Sequence, residues 1–202
     1  MKVLGVIPAR GGSTRIPRKN VCLIKGNPLV AIAWKEAMRS CARNDCYGYK
    51  PNTLLDLVVS TDDIPIALMA DRHGIGIIDR KCGADGPMVH VLLEAVGRAK
   101  FTVDAVCCLQ PTSPFRTKED IDGCVALLES RPEASSVVSV DESAGKRNGA
   151  VYVTRVAMLR DGLVFDDNSL TYPMPHERSL DINTPEDLEL VRRMWDERNL
   201  AE

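Results

Sequence analysis

The sequence predicts an α/β fold, a single domain built on a mostly parallel, Rossmann-like sheet with helices on both faces. Short valine-rich runs alternate with longer segments of helical period, the trace left by successive strand and helix units. Most of the apolar runs are continuous, as in strands covered on both sides. The 202 residues are 45% hydrophobic, enough for one compact core, and no linker composition divides residues 1–202.

In chain order, the predicted strands are residues 3–7, 55–60, 76–78, 105–109, 136–140 and 150–153. Segments 29–39, 64–73, 89–100, 118–130 and 185–198 carry apolar residues at helical spacing. Several helix ends are marked. Thr184-Pro185-Glu186-Asp187 offers a capping hydroxyl, a proline suited to the first helical position, and two acids at the positive end of the dipole. Thr117 with Asp120 three residues on reads as a capping box, and His73 closes the second helix. Residues 44–53 read as a loop with no assigned role.

Composition narrows the function. A net charge of -2 argues against a general nucleic-acid or membrane surface. No apolar run approaches spanning length, and the N-terminus runs straight into a strand without a leader, so a cytoplasmic protein is expected. The seven cysteines (Cys22, Cys41, Cys46, Cys82, Cys107, Cys108, Cys124) form no C-x-x-C pair and read as reduced, buried thiols.

Positive charge is instead concentrated locally. Directly after the first strand come Arg10, Gly11, Gly12, Ser13, Thr14, Arg15, Ile16, Pro17, Arg18, Lys19 and Asn20. Adjacent glycines allow backbone N–H groups to face an anion, and the four cations supply the charge that a polyphosphate requires. The dinucleotide fingerprint fails because the next glycine is Gly26, and the mononucleotide P-loop fails because Arg18 precedes Lys19. The plainer alternative is a solvated basic loop.

Ligands of doubly wound sheets bind beyond the carboxyl ends of the strands, so the segments that follow strands carry the chemistry. Ser60-Thr61-Asp62-Asp63 is one. In another, two prolines hold Gln110, Thr112, Ser113 and Arg116 in a rigid turn that suits a polar ligand with an acidic group. Ahead of the last helix, Asp181 and Asn183 stand two residues apart, so in extended chain their oxygens point the same way and can share a hard cation such as Mg²⁺. Neither Ser13 nor Ser113 lies in a G-x-S-x-G elbow, and His73, His90 and His176 pair with no nucleophile, so covalent catalysis is not indicated.

Taken together, Ile7-Pro8-Ala9-Arg10-Gly11-Gly12-Ser13, Val59-Ser60-Thr61-Asp62, Leu109-Gln110-Pro111-Thr112-Ser113-Pro114, Asn148-Gly149-Ala150-Val151-Tyr152 and Asp181-Ile182-Asn183-Thr184-Pro185 occur in order over most of the chain. This pattern resembles the N-acylneuraminate cytidylyltransferases, or CMP-sialic acid synthetases. The resemblance implies attack by the anomeric hydroxyl of an acidic sugar on the α-phosphate of CTP, with Mg²⁺, giving a CMP-sugar and pyrophosphate. It implies that Arg10 and Lys19 hold the phosphates and stabilise the leaving group, above Gly11, Gly12 and Ser13, with Asn20 near the nucleotide. Arg80 would read the cytosine edge and Asp85 would join the nucleotide pocket. Gln110 would touch the sugar with Ser113 and Asn148 nearby, Arg116 would close its pocket, and Asp181 with Asn183 would bind the metal.

Three departures accompany the resemblance. Thr14 stands where the family has lysine, with Arg15 as the neighbouring charge, and Asn183 replaces a second metal-binding aspartate. Only residues 141–147 separate the fifth strand from Asn148, where the family has a longer excursion that contributes to the dimer and the sugar pocket. The acceptor side is therefore expected to be more open, or completed by a second copy in a homodimer. A smaller acidic acceptor, such as a keto-sugar acid or a phosphonate, and a nucleotide-binding homologue without turnover are the alternatives.

Overall fold

A computed structural model of the chain describes residues 1–41, 53–83 and 85–200. The described residues form nine strands and six α-helices. In order these are β1 (Val3–Pro8), β2 (Leu23–Ile24), β3 (Asn27–Pro28), α1 (Leu29–Arg39), β4 (Asp56–Thr61), α2 (Ile64–Arg72), β5 (Gly76–Asp79) and α3 (Met88–Arg98). They continue with β6 (Ala105–Leu109), α4 (Lys118–Glu129), β7 (Ser136–Asp141), β8 (Arg147–Arg155), α5 (Val156–Arg160), β9 (Leu170–Met174) and α6 (Pro185–Leu200). Residues 44–52 of the predicted loop, with Cys46, lie outside the described residues.

Seven strands make one sheet in the order β5-β4-β1-β6-β8-β7-β9. Pairing is parallel between β1 and β4, β1 and β6, β4 and β5, and β7 and β9, whereas β8 runs antiparallel to both its neighbours. The mostly parallel sheet agrees with the sequence reading, but the run at 150–153 belongs to a longer strand that starts at Arg147 and reverses direction. The chain leaves β1 toward β4 and β5, then returns to the other side of β1 as β6. That reversal opens a crevice beyond the carboxyl end of β1.

The alternate faces of each strand feed two apolar clusters. Ile7, Val59, Cys107, Leu109 and Val153 pack against α1, α2 and α4, while Leu4, Val6, Ile78, Val106 and Cys108 pack against α3 and α5. Each fully buried leucine or isoleucine contributes about 1.5–3 kcal/mol, so these clusters, not the polar loops, hold the sheet. A third cluster lies over the carboxyl ends, where Leu188 and Val191 of α6 meet Ile16, Ile24, Leu29, Phe115 and Ile182. Phe115 stacks on Trp195 of α6 with ring centroids 5.5 Å apart.

The marked helix starts form as read. Thr184 Oγ1 accepts from the Asp187 N–H at 3.2 Å, and Asp187 Oδ2 accepts from the Asn183 and Thr184 N–H groups at 2.8 Å each. Asp120 completes the α4 capping box and is fully buried against Arg178, whose Nη2 and Nε donate at 2.8 and 3.1 Å. Cys41, Cys107, Cys108 and Cys124 are buried and free, whereas Cys22 and Cys82 are partly exposed. Burial pushes the Cys41 and Cys108 thiols up to about 12, which makes them inert.

Candidate active site

The loops beyond β1, β5 and β6 enclose a cleft of about 490 Å³. Arg10, Ser13, Arg15, Lys19 and Asn20 line it from the first loop, and Arg80 and Asp85 from the connection between β5 and α3. Gln110 reaches it from the end of β6, and Asn183 from the segment ahead of α6. Met88 and Val91 of α3 add an apolar wall that sequence reading missed. Their only available signal was adjacency to Arg80 and Asp85, since apolar residues on a helix read as core.

Hydrogen bonds set the loop. The buried Asn20 donates through Nδ2 to the Arg10 carbonyl at 2.8 Å, which fixes the backbone that aims Arg10. Arg10 Nη1 donates to Asp85 Oδ1 at 2.8 Å across the mouth of the cleft. Lys19 is half-buried and donates through Nζ to the Ile182 carbonyl at 2.7 Å. Burial lowers its pKa, and the nearby Asp181 carboxylate opposes that shift. Arg80, also buried, donates to the Ser60 carbonyl at 3.1 Å; desolvation lowers its pKa while Asp62 raises it.

Gly11 and Gly12 do not line the cleft. The Gly11 N–H donates to Asp62 Oδ1 at 3.1 Å, and a Cβ there would lie 2.3 Å from Asp63 Oδ2. Glycine is needed at this position because the loop approaches Asp63 closely; that carboxylate also caps α2 through the Ile66 N–H.

Gln110, which lines the cleft, and Asp181 converge on Gly149; unlike Asn183, Asp181 is not among the lining residues. This glycine has a φ of +76°, and a Cβ there would lie 3.8 Å from both Asp181 Oδ2 and Gln110 Nε2. Asp181 Oδ2 accepts from Asn183 Nδ2 at 2.8 Å, while Oδ1 is buried without a partner. No group of three or more His, Cys, Asp or Glu side chains suited to a metal exists among the described residues. One orphaned carboxylate oxygen beside an amide fits Mg²⁺ that takes its remaining ligands from water and phosphate.

Three predicted sugar-binding residues lie beneath the cleft instead of in it. Arg116 is 2% exposed, and its Nη1 donates to the Gln110 and Ala150 carbonyls at 3.0 and 2.8 Å, tying the end of β6 to β8. It cannot close a pocket from there, and burial pushes its pKa down to about 10. Asn148 is buried among Ser139 Oγ at 2.6 Å, Ser179 Oγ at 3.0 Å and the Ala150 N–H at 3.1 Å. The Ser113 hydroxyl is buried as well.

Arg147 is an exposed cation on that side, next to the exposed Lys146. Its guanidinium sits 4.5 Å from the Phe165 ring centroid, and Phe165 stacks on Tyr152 at 5.4 Å. Among the described residues Arg147 has no ion pair. Burial raises the Tyr152 pKa, with Cys108 adding to the shift, Arg147 opposing it and Asp181 adding a little more. The sequence signal was an arginine directly ahead of Asn148-Gly149-Ala150.

Residues 4–183 match the cytidylyltransferase family model. The chain belongs to that family. It is 33% identical to the CMP-N,N'-diacetyllegionaminic acid synthase of Legionella pneumophila over 147 residues, which cover 69% of this chain and 58% of that protein. It is 26% identical to the pseudaminic acid cytidylyltransferase of Campylobacter jejuni, over 96% of this chain and 97% of the relative. That alignment spans 235 positions against the chain's 202 residues, so the relative carries stretches with no counterpart in this chain. The solved CMP:2-keto-3-deoxy-manno-octonic acid synthetase complexed with CTP superposes with a TM-score of 0.75 at 17% identity, covering 98% of this chain and all of that one, and so shares the fold.

Proposed function

We propose that the chain transfers CMP from CTP to an acidic nonulosonic sugar and releases pyrophosphate. The observation that carries this reading is the convergence of Arg10, Lys19, Arg80 and Gln110 on one cleft of about 490 Å³ at the strand ends. The relatives' names supply the reaction class.

The sugar's anomeric oxygen would attack the α-phosphorus while the bond to the pyrophosphate oxygen breaks. Such a displacement asks the protein chiefly to position the reactants and to stabilise charge. Arg10 and Lys19 meet the charge that develops on the leaving group, with Arg15 in place of a lysine at Thr14. Arg80 and the apolar wall of Met88 and Val91 receive the base. Gln110 orients the sugar, and Arg147 takes over from Arg116 as the cation for its carboxylate. Bound through Asp181 and Asn183, Mg²⁺ would neutralise phosphate charge.

A smaller acidic acceptor is the second reading, favoured by the short connection at residues 142–146, which leaves the acceptor side with little cover. A homodimer and a cytoplasmic location belong to the same proposal; no helix among the described residues is long and apolar enough to cross a membrane. Pyrophosphate release should require CTP, Mg²⁺ and one member of a panel of nonulosonic and smaller keto-sugar acids, with CTP binding followed by calorimetry. Tight CTP binding with no release for any acceptor would overturn the enzymatic reading.

A further inference from the structure

We infer that Ile182, which contributes no side-chain atom to the cleft, is a positioning residue for Lys19; the inference rests on the proposed reaction. Its C=O accepts the Lys19 ammonium at 2.7 Å, and its N–H donates to the Thr112 carbonyl at 2.9 Å. One peptide segment thus joins the phosphate loop to the turn after β6, between Asp181 and Asn183.

The side chain fixes that segment. Ile182 is 0% exposed and packs with Ile16 of the cationic loop, Phe115 of the Gln110 turn, and Leu188 and Val191 of α6. A β-branched side chain has few rotamers, so close packing on all sides holds its carbonyl in one orientation. Lysine is a point charge on a flexible four-carbon stem, with up to about 2 kcal/mol of rotamer entropy to lose on ordering. A rigid acceptor beside the cleft confines that ammonium to the space where phosphate charge develops. Displacement of a catalytic group by about 1 Å can lower a rate about 100-fold. Ile182 therefore sets turnover through a backbone atom, and its packing acts on chemistry as well as on stability.

A double-mutant cycle tests this. Ile182→Ala should lower kcat about tenfold or more, with the KM for CTP shifted less than about threefold, and Ile182→Val should restore most of the rate. In a Lys19→Met background, Ile182→Ala should change the rate by less than about twofold, because the group it positions is gone. Leu188→Ala loosens the same cluster without touching the peptide of Ile182, and should reduce thermal stability at nearly unchanged kcat. If no acceptor supports turnover, the contact is read directly from the NMR signal of the Lys19 ammonium, which should shift in Ile182→Ala and stay in place in Leu188→Ala; this separates failure of this inference from failure of the proposed function. Additive effects of Ile182→Ala and Lys19→Met, or an equal kcat loss in Leu188→Ala, would overturn it.

Discussion

The two ends of the cleft are built differently. At the nucleotide end, the polar groups around the parallel strands β1, β4 and β5 are held by backbone and by one another: Asn20 holds the Arg10 carbonyl within the first loop, Arg80 holds the Ser60 carbonyl of β4, and Asp85 pairs with Arg10 across the cleft. At the acceptor end the framework is the single reversed strand β8 and a five-residue connection. There the polar residues Arg116 and Asn148 face inward, and Arg147, beside the exposed Lys146, faces outward over the Phe165 ring. The lesson is that a place in a motif does not by itself put a polar residue in solvent: Arg116 and Asn148 are taken up by carbonyls and hydroxyls of the framework, whereas Arg147, directly ahead of Asn148, is exposed.

The largest effect expected from this division is at the nucleotide end. Arg10→Ala should lower pyrophosphate release about 100- to 1000-fold, as loss of one preorganised donor to developing charge does elsewhere. A near-normal rate would mean that the phosphates lie away from the first loop.

Exchanging the two arginines of the acceptor end should separate binding from stability. Arg147→Ala should raise the acceptor KM about 10- to 100-fold with the CTP KM unchanged, the scale of one charged hydrogen bond. Arg116→Met should leave that KM alone and lower unfolding stability by about 1–3 kcal/mol for each carbonyl left unpaired, measured by denaturant titration. An Arg116→Met protein of normal stability with a raised acceptor KM would reverse the assignment.

The smallest effect concerns the turn that connects β7 to β8. Asp141 is held down to about 2 by hydrogen bonds from Ser143 and then from His176, against an ordinary 3.8. This clip therefore stabilises the fold above about pH 4, and the stabilisation is lost as the pH falls toward 2. The melting-temperature advantage of the wild-type chain over Asp141→Asn should shrink across that window. A constant advantage would show that the clip does not act through its charge.

Much of this was legible in the sequence for a physical reason. Continuous valine-rich runs and the Thr184 and Thr117 caps are local signals, and local signals survive folding; the role of Gly11 was not such a signal, because its N–H goes to Asp62 and its lack of a side chain serves the approach to Asp63. The cleft was legible because parallel strands deliver their following loops to one edge. Arg116 was misread because a guanidinium beside two prolines looks like a ligand-binding group whether it faces out or in, and only the carbonyls of Gln110 and Ala150, one of them 34 residues away, settle which. Strand β9 and the hairpin of β2 and β3 escaped for a related reason: short or edge strands carry little apolar periodicity.

The bridge between Arg10 and Asp85 has a kinetic consequence. Both partners are well exposed, so the pair itself is worth at most about 1 kcal/mol and yields readily to a stronger anion. Meanwhile it keeps a long side chain from sampling many rotamers, and the Asn20 contact does the same for the backbone behind it. The first phosphate to arrive therefore meets an arm already extended, and recognition begins as an exchange of one anion for another, with little of the searching that an unrestrained arginine would require.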